Sequence, residues 1–514
     1  MPSTVLDEEV HARHGRSLVS DPPGPAGLLA RRWADLERAQ RVLLGLVAAV
    51  VLLRVGLYPG TAGTPVYGDE AYYVDAARAL SNLVRDLVSF SGPDTAELSQ
   101  NVAGNGWFMP GMSILLTPLF VVVPDAPIEL VRAYLGLAST ALLLLAVLGV
   151  RRHLGRVSAG AVLVVPGLVP MYAVFGFAAY GDLVAGLLVL MLLTQAVALV
   201  RRTRAADRGA GPEPVATWRH GIHLGSLAIA AVYFRSSVSI LVVGLLSTAL
   251  LVGVLLARGQ WRRLVATMLA AGATFVVLLA PWSAYASHEL GGRVLTTTSV
   301  PTVLANTFGD RDDVCYGECD PGSSIWFSPL RYSREVARAT GISEMQAAAE
   351  MSVYARADVT AESYARDVLD NLSRYLRNPA GFARIFESPT APYPTAEVVG
   401  ALTYLMVFPA FLVGLVMLLY VDRRGAGAQV QSLLVKVAIG ALLVQPFVHI
   451  AGSRYWMTLG PLLGLAAALL YGAARSRGRP VAGDVAALAW LTRLQAALVV
   501  GAVTAATVVV ALAV

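Results

Sequence analysis

Long apolar segments dominate the chain and alternate with short polar connections. Runs of roughly 20 apolar residues, long enough to cross a hydrocarbon core of about 30 Å, recur from Arg41 onwards. The pattern predicts about 11 membrane-spanning helices, near residues 42–58, 129–150, 157–177, 183–200, 221–234, 237–257, 264–284, 396–420, 431–450, 455–474 and 494–514. The predicted fold class is therefore an all-α polytopic membrane protein.

The arginines between these segments predict an orientation. By the positive-inside rule, we expect the basic connections in the cytoplasm, at residues 151–156, 201–220, 258–263, 422–424 and 475–479. Residues 1–40 are then a polar cytoplasmic tail, and the two long polar loops, 59–106 and 285–395, lie outside the membrane. The C-terminus is also expected outside.

One apolar stretch, residues 107–123, does not fit a simple crossing. It begins at Met109-Pro110-Gly111, and a crossing here would reverse the orientation of every later basic connection. We therefore expect a re-entrant or juxtamembrane segment. The predicted domains are an N-terminal membrane module at 41–284, an outer loop domain at 285–395 and a C-terminal membrane module at 396–514.

The composition supports a membrane protein and excludes a nucleic-acid partner. Of 514 residues, 56% are hydrophobic and 14% charged, whereas about a quarter are charged in an average soluble protein. The formal net charge is +6, but the arginines cluster at the ends of apolar runs, where they act as topology signals. The expected surroundings are membrane lipid, and the expected location is the inner cell membrane.

Two adjacent carboxylates, Asp69 and Glu70, follow the first apolar run in the sequence VYGDEAYY. A carboxylate at a membrane surface can act as a general base on a hydroxyl group or hold a divalent cation. It can also cap the helix that follows, with Gly68-Asp69 at the helix start. On this motif alone, both interpretations stay open.

A third acid, Asp182, is predicted at the outer end of a span, where a charge is costly and functional roles are common. We therefore expect a functional role for it, the alternative being a solvated loop residue. Arg235, between two later spans, is also predicted on the outer side. It could hold a phosphate or extend its charge to the membrane surface.

A late cluster combines His449, Arg454 and Tyr455 at one predicted outer boundary. Arginine suits phosphate because its planar guanidinium donates two parallel hydrogen bonds. Arg454 is therefore predicted to bind a phosphate, against the alternative of an interfacial aromatic anchor at Tyr455-Trp456 with an incidental arginine.

The only two cysteines, Cys315 and Cys319, lie in the large predicted outer loop. Two thiols are too few for a disulfide framework or a four-thiolate metal site. In an oxidising compartment, a short-range disulfide between them is expected.

Together, the Asp69-Glu70 pair, Met109-Pro110-Gly111, Glu129 with Arg132, and the late His449 and Arg454-Tyr455 resemble the GT-C glycosyltransferase superfamily. The order of these motifs is most similar to the branch of protein O-mannosyltransferases and lipid A aminoarabinose transferases. The chain lacks the His-Pro-Pro-Leu motif of the mannosyltransferases.

The resemblance implies a GT-C-like bundle and a role for each candidate residue. Asp69 would be the catalytic base, and Glu70, Asp182 and His449 would support the site or contact the donor. Arg454 and Tyr455 would bind the carrier phosphate. A divalent metal at Asp69, Glu70 and Asp182 is a further expectation.

The implied activity is an inverting glycosyltransferase at the outer face of the membrane. It would move a hexosyl or pentosyl group from a polyprenyl-phosphate donor to a hydroxyl of a cell-envelope glycan, lipid or protein. The alternative is a transporter or flippase for a lipid-linked sugar. Transporters often have paired halves with broken helices, and the sequence shows no such halves.

Overall fold

The computed structural model describes most of the chain. The described residues are 37–66, 68–104, 106–210, 217–308, 340–343, 345–346, 349–350, 353, 356–377, 395–448, 455–476 and 485–513. The chain divides into two compact units, residues 1–45 and 46–514. Of the first unit, only the beginning of one helix is described. Every contact discussed below lies within the second unit.

The regular structure of the described residues is helical throughout. The α-helices are α1 Arg38–Ala62, α2 Asp69–Ser89, α3 Thr95–Leu98, α4 Gly111–Val122, α5 Ile128–Leu154, α6 Arg156–Val162, α7 Pro170–Phe175, α8 Asp182–Asp207, α9 Thr217–Phe234, α10 Ser239–Leu256, α11 Trp261–Glu289, α12 Ser299–Phe308, α13 Ala361–Arg377, α14 Thr395–Leu419, α15 Ala426–Leu443, α16 Trp456–Arg475 and α17 Val485–Ala513. The predicted all-α class is confirmed.

Eight helical segments in the described part of the chain are long and apolar enough to cross a membrane. They are α1, α5, α8, α16, the segments Ser236–Leu256, Arg258–Glu289 and Ala426–Phe447, and Leu488–Ala513 within α17. The protein is therefore a multi-pass membrane protein, although the predicted count of 11 spans is not confirmed. The predicted spans at 157–177, 221–234 and 396–420 are outside this set.

The predicted span at 157–177 differs most clearly from a regular helix. Its apolar sequence forms α6, a π-helical turn at Leu163–Gly167 and the short α7. Val165 has non-helical backbone angles, with φ −128° and ψ 109°, directly before Pro166. Proline cannot donate a backbone hydrogen bond and restricts the residue before it, so the helix is interrupted here.

Helix α4 covers most of the apolar stretch at 107–123 and has only 12 residues. At 1.5 Å per residue it is about 18 Å long, shorter than a hydrocarbon core of about 30 Å. A re-entrant or juxtamembrane placement suits this length and stays a prediction.

Helix α8 is the central helix of the bundle. Its apolar residues surround the whole helix, and it contacts α5, α9, α10, α15 and α16. Glycines permit the closest approach of α16: a Cβ at Gly186 would lie 2.6 Å from the carbonyl oxygen of Thr458, and one at Gly464 would lie 2.2 Å from that of Val165. Small residues of this kind are the usual basis of close helix packing in membranes.

Helix α13, from the large loop, packs at one end of the bundle. The hydroxyl of Tyr364 donates to the carbonyl oxygen of Phe447 at 2.8 Å, and Asn371 Nδ2 donates to that of Pro446 at 3.2 Å. Part of the loop domain therefore contacts the segment that leads to the predicted site residue His449.

Candidate functional site

Asp69 and Glu70 are the first two residues of α2. Gly68 is the N-cap, with a φ of 59° that glycine tolerates best. Asp69 is half-buried in the first turn, where the helix dipole favours a carboxylate. The helix dipole therefore favours the charge of Asp69, and its interpretations as a general base and as a helix cap both stay predictions.

Glu70 forms a buried ion pair with Arg132 of α5, and the two side chains are 1% and 0% exposed. Arg132 Nη2 donates to Glu70 Oε2 at 3.0 Å, and Nη1 donates to Oε1. The guanidinium also donates to the carbonyl oxygens of Thr64 at 3.1 Å and Phe177 at 3.2 Å. Glu70 and Arg132 therefore join the start of α2 to α5 and to two loops.

The connection between α7 and α8, residues 176–181, is held from both sides. The backbone N–H of Ala179 donates to Glu70 Oε1 at 2.7 Å. Ser139 Oγ donates to the carbonyl oxygen of Gly176 at 3.0 Å, and Arg54 Nη1 donates to Ser139 Oγ at 2.7 Å. The buried Arg54 of α1 thus supports the same connection that Glu70 binds.

The buried Asp182 begins α8 and forms a second ion pair, with the half-buried Arg235. Arg235 follows α9, and its Nε donates to Ser237 Oγ at 2.9 Å. Its guanidinium carbon lies 4.1 Å from the ring centroid of Tyr455, a distance typical of a cation–π contact. Asp182, Arg235 and Tyr455, which are far apart in the sequence, therefore meet in one cluster. The interpretation of Asp182 as a solvated loop residue is wrong, because its side chain is buried.

The two ion pairs lie at the same end of the bundle. Ala179, which binds Glu70, precedes Asp182 by three residues, a span of at most about 11 Å. The carbonyl oxygen of Asp182 accepts from Thr458 Oγ1 at 3.1 Å. A Cβ at Gly181 would lie 2.0 Å from the carbonyl oxygen of Phe234, so only glycine permits this packing.

Aromatic side chains line the first turns of α2. The ring centroid of Phe108 lies 4.5 Å from that of Tyr72 and 5.4 Å from that of Tyr73. The Tyr72 hydroxyl donates to the carbonyl oxygen of Val102 at 2.9 Å. The start of the predicted re-entrant segment therefore packs against the first turns of the helix that Asp69 begins.

Several predicted site residues lie outside the described residues: His449, Arg454, Cys315 and Cys319. Their predicted roles stay predictions. Tyr455 is the first described residue after this gap, and it is buried beneath Arg235.

The described residues do not fit the predicted divalent metal site. No group of three histidine, cysteine or acidic side chains is placed to hold a metal ion within the described ranges. Both oxygens of Glu70 accept hydrogen bonds from protein donors, and Asp182 pairs with Arg235. The chemistry proposed below therefore contains no metal-dependent step.

No family model and no curated protein matches the sequence. Among solved structures, AglB oligosaccharyltransferase from Archaeoglobus fulgidus, in complex with an inhibitory peptide and a dolichol-phosphate, aligns at 14% identity and a TM-score of 0.41. This alignment covers 92% of the present chain and 56% of the other. The apo form of the oligosaccharyltransferase from the same organism aligns at 13% identity and a TM-score of 0.44, covering 94% and 56%.

ArnT from Cupriavidus metallidurans, bound to undecaprenyl phosphate, aligns at 15% identity and a TM-score of 0.32, covering 85% of this chain and 80% of its own. The resemblance to the GT-C superfamily stays a prediction from the sequence. The chain spans little more than half the length of the oligosaccharyltransferases. At these identities and TM-scores, the likenesses assign no activity, donor or acceptor.

Proposed function

We propose that the protein is an inverting membrane glycosyltransferase that uses a polyprenyl-phosphate sugar as donor. One observation carries the proposal: the half-buried Asp69 begins α2 beside the Glu70–Arg132 pair, at the end of the bundle where Asp182 and Arg235 form a second pair. The site thus brings a half-buried carboxylate at the start of a helix to the same end of the bundle as the Arg235 guanidinium.

In the proposed reaction, the Asp69 carboxylate removes the proton from an acceptor hydroxyl. The hydroxyl oxygen then bonds to the anomeric carbon while the bond to the phosphate oxygen breaks on the opposite face. The configuration is inverted, and polyprenyl phosphate leaves with the bonding electron pair. Glu70 does not touch the substrate. Its ion pair with Arg132 fixes the first turn of α2, and thereby the position of Asp69.

The leaving phosphate gains negative charge, so the site needs a fixed cation more than it needs an acid. Arg235 supports such a role because Asp182 and the Tyr455 ring hold its guanidinium in place. Arg454 directly precedes Tyr455 in the sequence, and we keep it as a second phosphate ligand. His449 and Tyr455 would complete the donor side of the site.

The hydrocarbon tail of the donor can remain in the bilayer while its phosphate and sugar enter the site. This explains why the enzyme would be embedded in the membrane. By the positive-inside rule, this end of the bundle faces outwards from the inner membrane. The acceptor would then be a hydroxyl of a cell-envelope glycan, lipid or protein, and the transferred sugar a hexose or pentose.

A transporter or flippase for a lipid-linked sugar is the second candidate, and the interrupted helix at Arg156–Phe175 favours it. Broken helices near the membrane midplane are common in transporters. Here, however, the irregular backbone at Val165 packs against Gly464 of α16, and irregular backbone that is buried in protein is tolerated without a transport role.

Asp69→Asn tests the enzyme proposal. The purified full chain is reconstituted with undecaprenyl phosphate carrying a labelled hexose or pentose, and sugar transfer to an envelope extract is measured. Loss of a positioned base typically lowers the rate about 10²- to 10⁴-fold. Asparagine keeps the size of the side chain, so the variant should fold and still bind the donor.

Asp75→Asn is the matched control, because Asp75 is an exposed carboxylate on the same helix. We expect its transfer rate to stay within about twofold of wild type, as expected for an exposed site. Near-normal transfer by Asp69→Asn would refute the assignment of the base. Protein-dependent movement of the labelled lipid between leaflets without any transfer would favour the transporter.

A further inference from the structure

A cavity of about 300 Å³ lies at the opposite end of α8 from Asp182. It is bounded by the last turns of α8, by Leu256 at the end of α10 and by the start of α15. Arg204 lines it and is 22 residues beyond Asp182, which corresponds to about 33 Å along the helix. The cavity is therefore separate from the candidate active site.

Three arginines line the cavity: Arg201 and Arg204 in the last turns of α8, and Arg208, which directly follows the helix. A spacing of three residues places Arg201 and Arg204 on the same helix face. Arg208 is exposed at the open rim, whereas Arg201 and Arg204 are half-buried. No acidic residue is present among the described residues that line the cavity.

Arg201 forms the fixed base of this cluster. Its Nη2 donates to the carbonyl oxygen of Gly427 and to Gln431 Oε1, both at 2.8 Å, and its Nη1 donates to the carbonyl oxygen of His153 at 3.2 Å. Gly427 has no Cβ, and an added one would lie 3.2 Å from Arg201 Nε. Arg201 is thus held by α5 and α15. Arg204 and Arg208 follow it along the chain, and Arg208 is the most exposed of the three.

The rest of the lining is apolar, including Val200, Leu256 and Val430. A soluble phosphate compound gains nothing from such walls, whereas a phospholipid can place its phosphate on arginines and its glycerol and upper acyl chain on apolar surface. Basic pockets between membrane helices on the cytoplasmic side are suited to anionic lipid headgroups. The chemistry therefore points to a phosphate group that carries a lipid tail.

We propose that this cavity binds an anionic phospholipid, with Arg204 and Arg208 as ligands of the headgroup phosphate and Arg201 as the support beneath them. The three arginines belong to the basic connection at residues 201–220, which is predicted on the cytoplasmic side of the membrane. The lipid would come from that leaflet, and it would be a resident lipid distinct from the sugar donor.

Binding can be measured on the purified full chain by native mass spectrometry and by titration with phosphatidylglycerol in mixed micelles. Arg204→Gln combined with Arg208→Gln should weaken binding at least about tenfold, since each change removes charge-assisted hydrogen bonds. Arg202→Gln is the control for each single change: it removes one positive charge from an exposed position on the same helix that does not line the cavity. Its affinity should stay within about twofold of wild type.

Ala205→Phe supplies an independent test, because it fills the cavity and leaves the charge unchanged. We expect it to weaken phosphatidylglycerol binding, with size-exclusion behaviour and unfolding temperature reported beside it. Phosphatidylcholine at the same concentration should not bind, and millimolar inorganic phosphate should not compete.

Three results would overturn the proposal. The first is equal weakening by Arg202→Gln and the double arginine variant, which would indicate a non-specific surface charge effect. The second is competition by inorganic phosphate as strong as by phosphatidylglycerol, which would make the cavity a site for a soluble anion. The third is unchanged lipid binding by a folded Ala205→Phe protein.

Discussion

The Glu70–Arg132 pair makes Glu70→Gln a revealing perturbation, because both partners are shielded from water. Glutamine keeps the shape of glutamate but leaves the Arg132 charge without its carboxylate. Either orientation of the amide also places an NH2 group against a protein donor, because Oε1 and Oε2 both accept hydrogen bonds. Removing one partner of a buried ion pair typically destabilises a protein by about 3–5 kcal/mol.

The free energy of unfolding can be measured by titrating sodium dodecyl sulfate into mixed micelles of the purified protein. Glu129→Gln is the matched control, because Glu129 is an exposed glutamate in the first turn of α5, and its effect should stay within about 0.5 kcal/mol. The double variant Glu70→Gln with Arg132→Gln should be less destabilised than the sum of the two single variants, since the residues interact directly.

Equal unfolding free energies for Glu70→Gln and Glu129→Gln would refute the structural role of the pair. Strict additivity of the two single changes at Glu70 and Arg132 would refute their coupling. Any loss of transfer by Glu70→Gln should follow the loss of folded protein, whereas Asp69→Asn should lower transfer in protein that is fully folded. This contrast separates a positioning residue from a catalytic one.

Three further predictions concern residues outside the described ranges. A reporter fused within 310–330 should be located outside the cytoplasm, and a cytoplasmic signal would contradict the predicted topology. Cys315 and Cys319 should resist thiol alkylation until the protein is reduced, so that rapid labelling without a reductant would exclude the disulfide. Arg454→Lys should weaken donor binding without unfolding the protein, because lysine cannot donate two parallel hydrogen bonds to a phosphate, and unchanged affinity would favour the interfacial anchor.

The interrupted segment at Arg156–Phe175 shows where hydropathy is insufficient. The apolar composition correctly indicates residues inside the bundle, since composition reports the preference for lipid or protein over water. It does not report helix continuity, which Pro166 and the packing of Gly464 against Val165 decide. The same limit applies to the predicted number of spans.

The role of Arg235 could not be inferred from the sequence. Its position on the outer side suggested either a phosphate ligand or a cation at the membrane surface. Only the fold brings it to Asp182, 53 positions earlier, and over the ring of Tyr455. Similarly, Arg132 belongs to a recognisable motif, yet nothing local indicates that its partner is Glu70.

The sequence by itself determined that this is a helical, multi-pass membrane protein with candidate acids at Asp69 and Asp182. Both properties depend on local patterns: apolar runs long enough for a bilayer, and carboxylates at the points where those runs meet polar connections. The tertiary structure decided the pairing of Glu70 with Arg132 and of Asp182 with Arg235. These pairings depend on helix packing between distant parts of the chain. A buried charge needs an opposite charge nearby, and only the fold decides which residue supplies it.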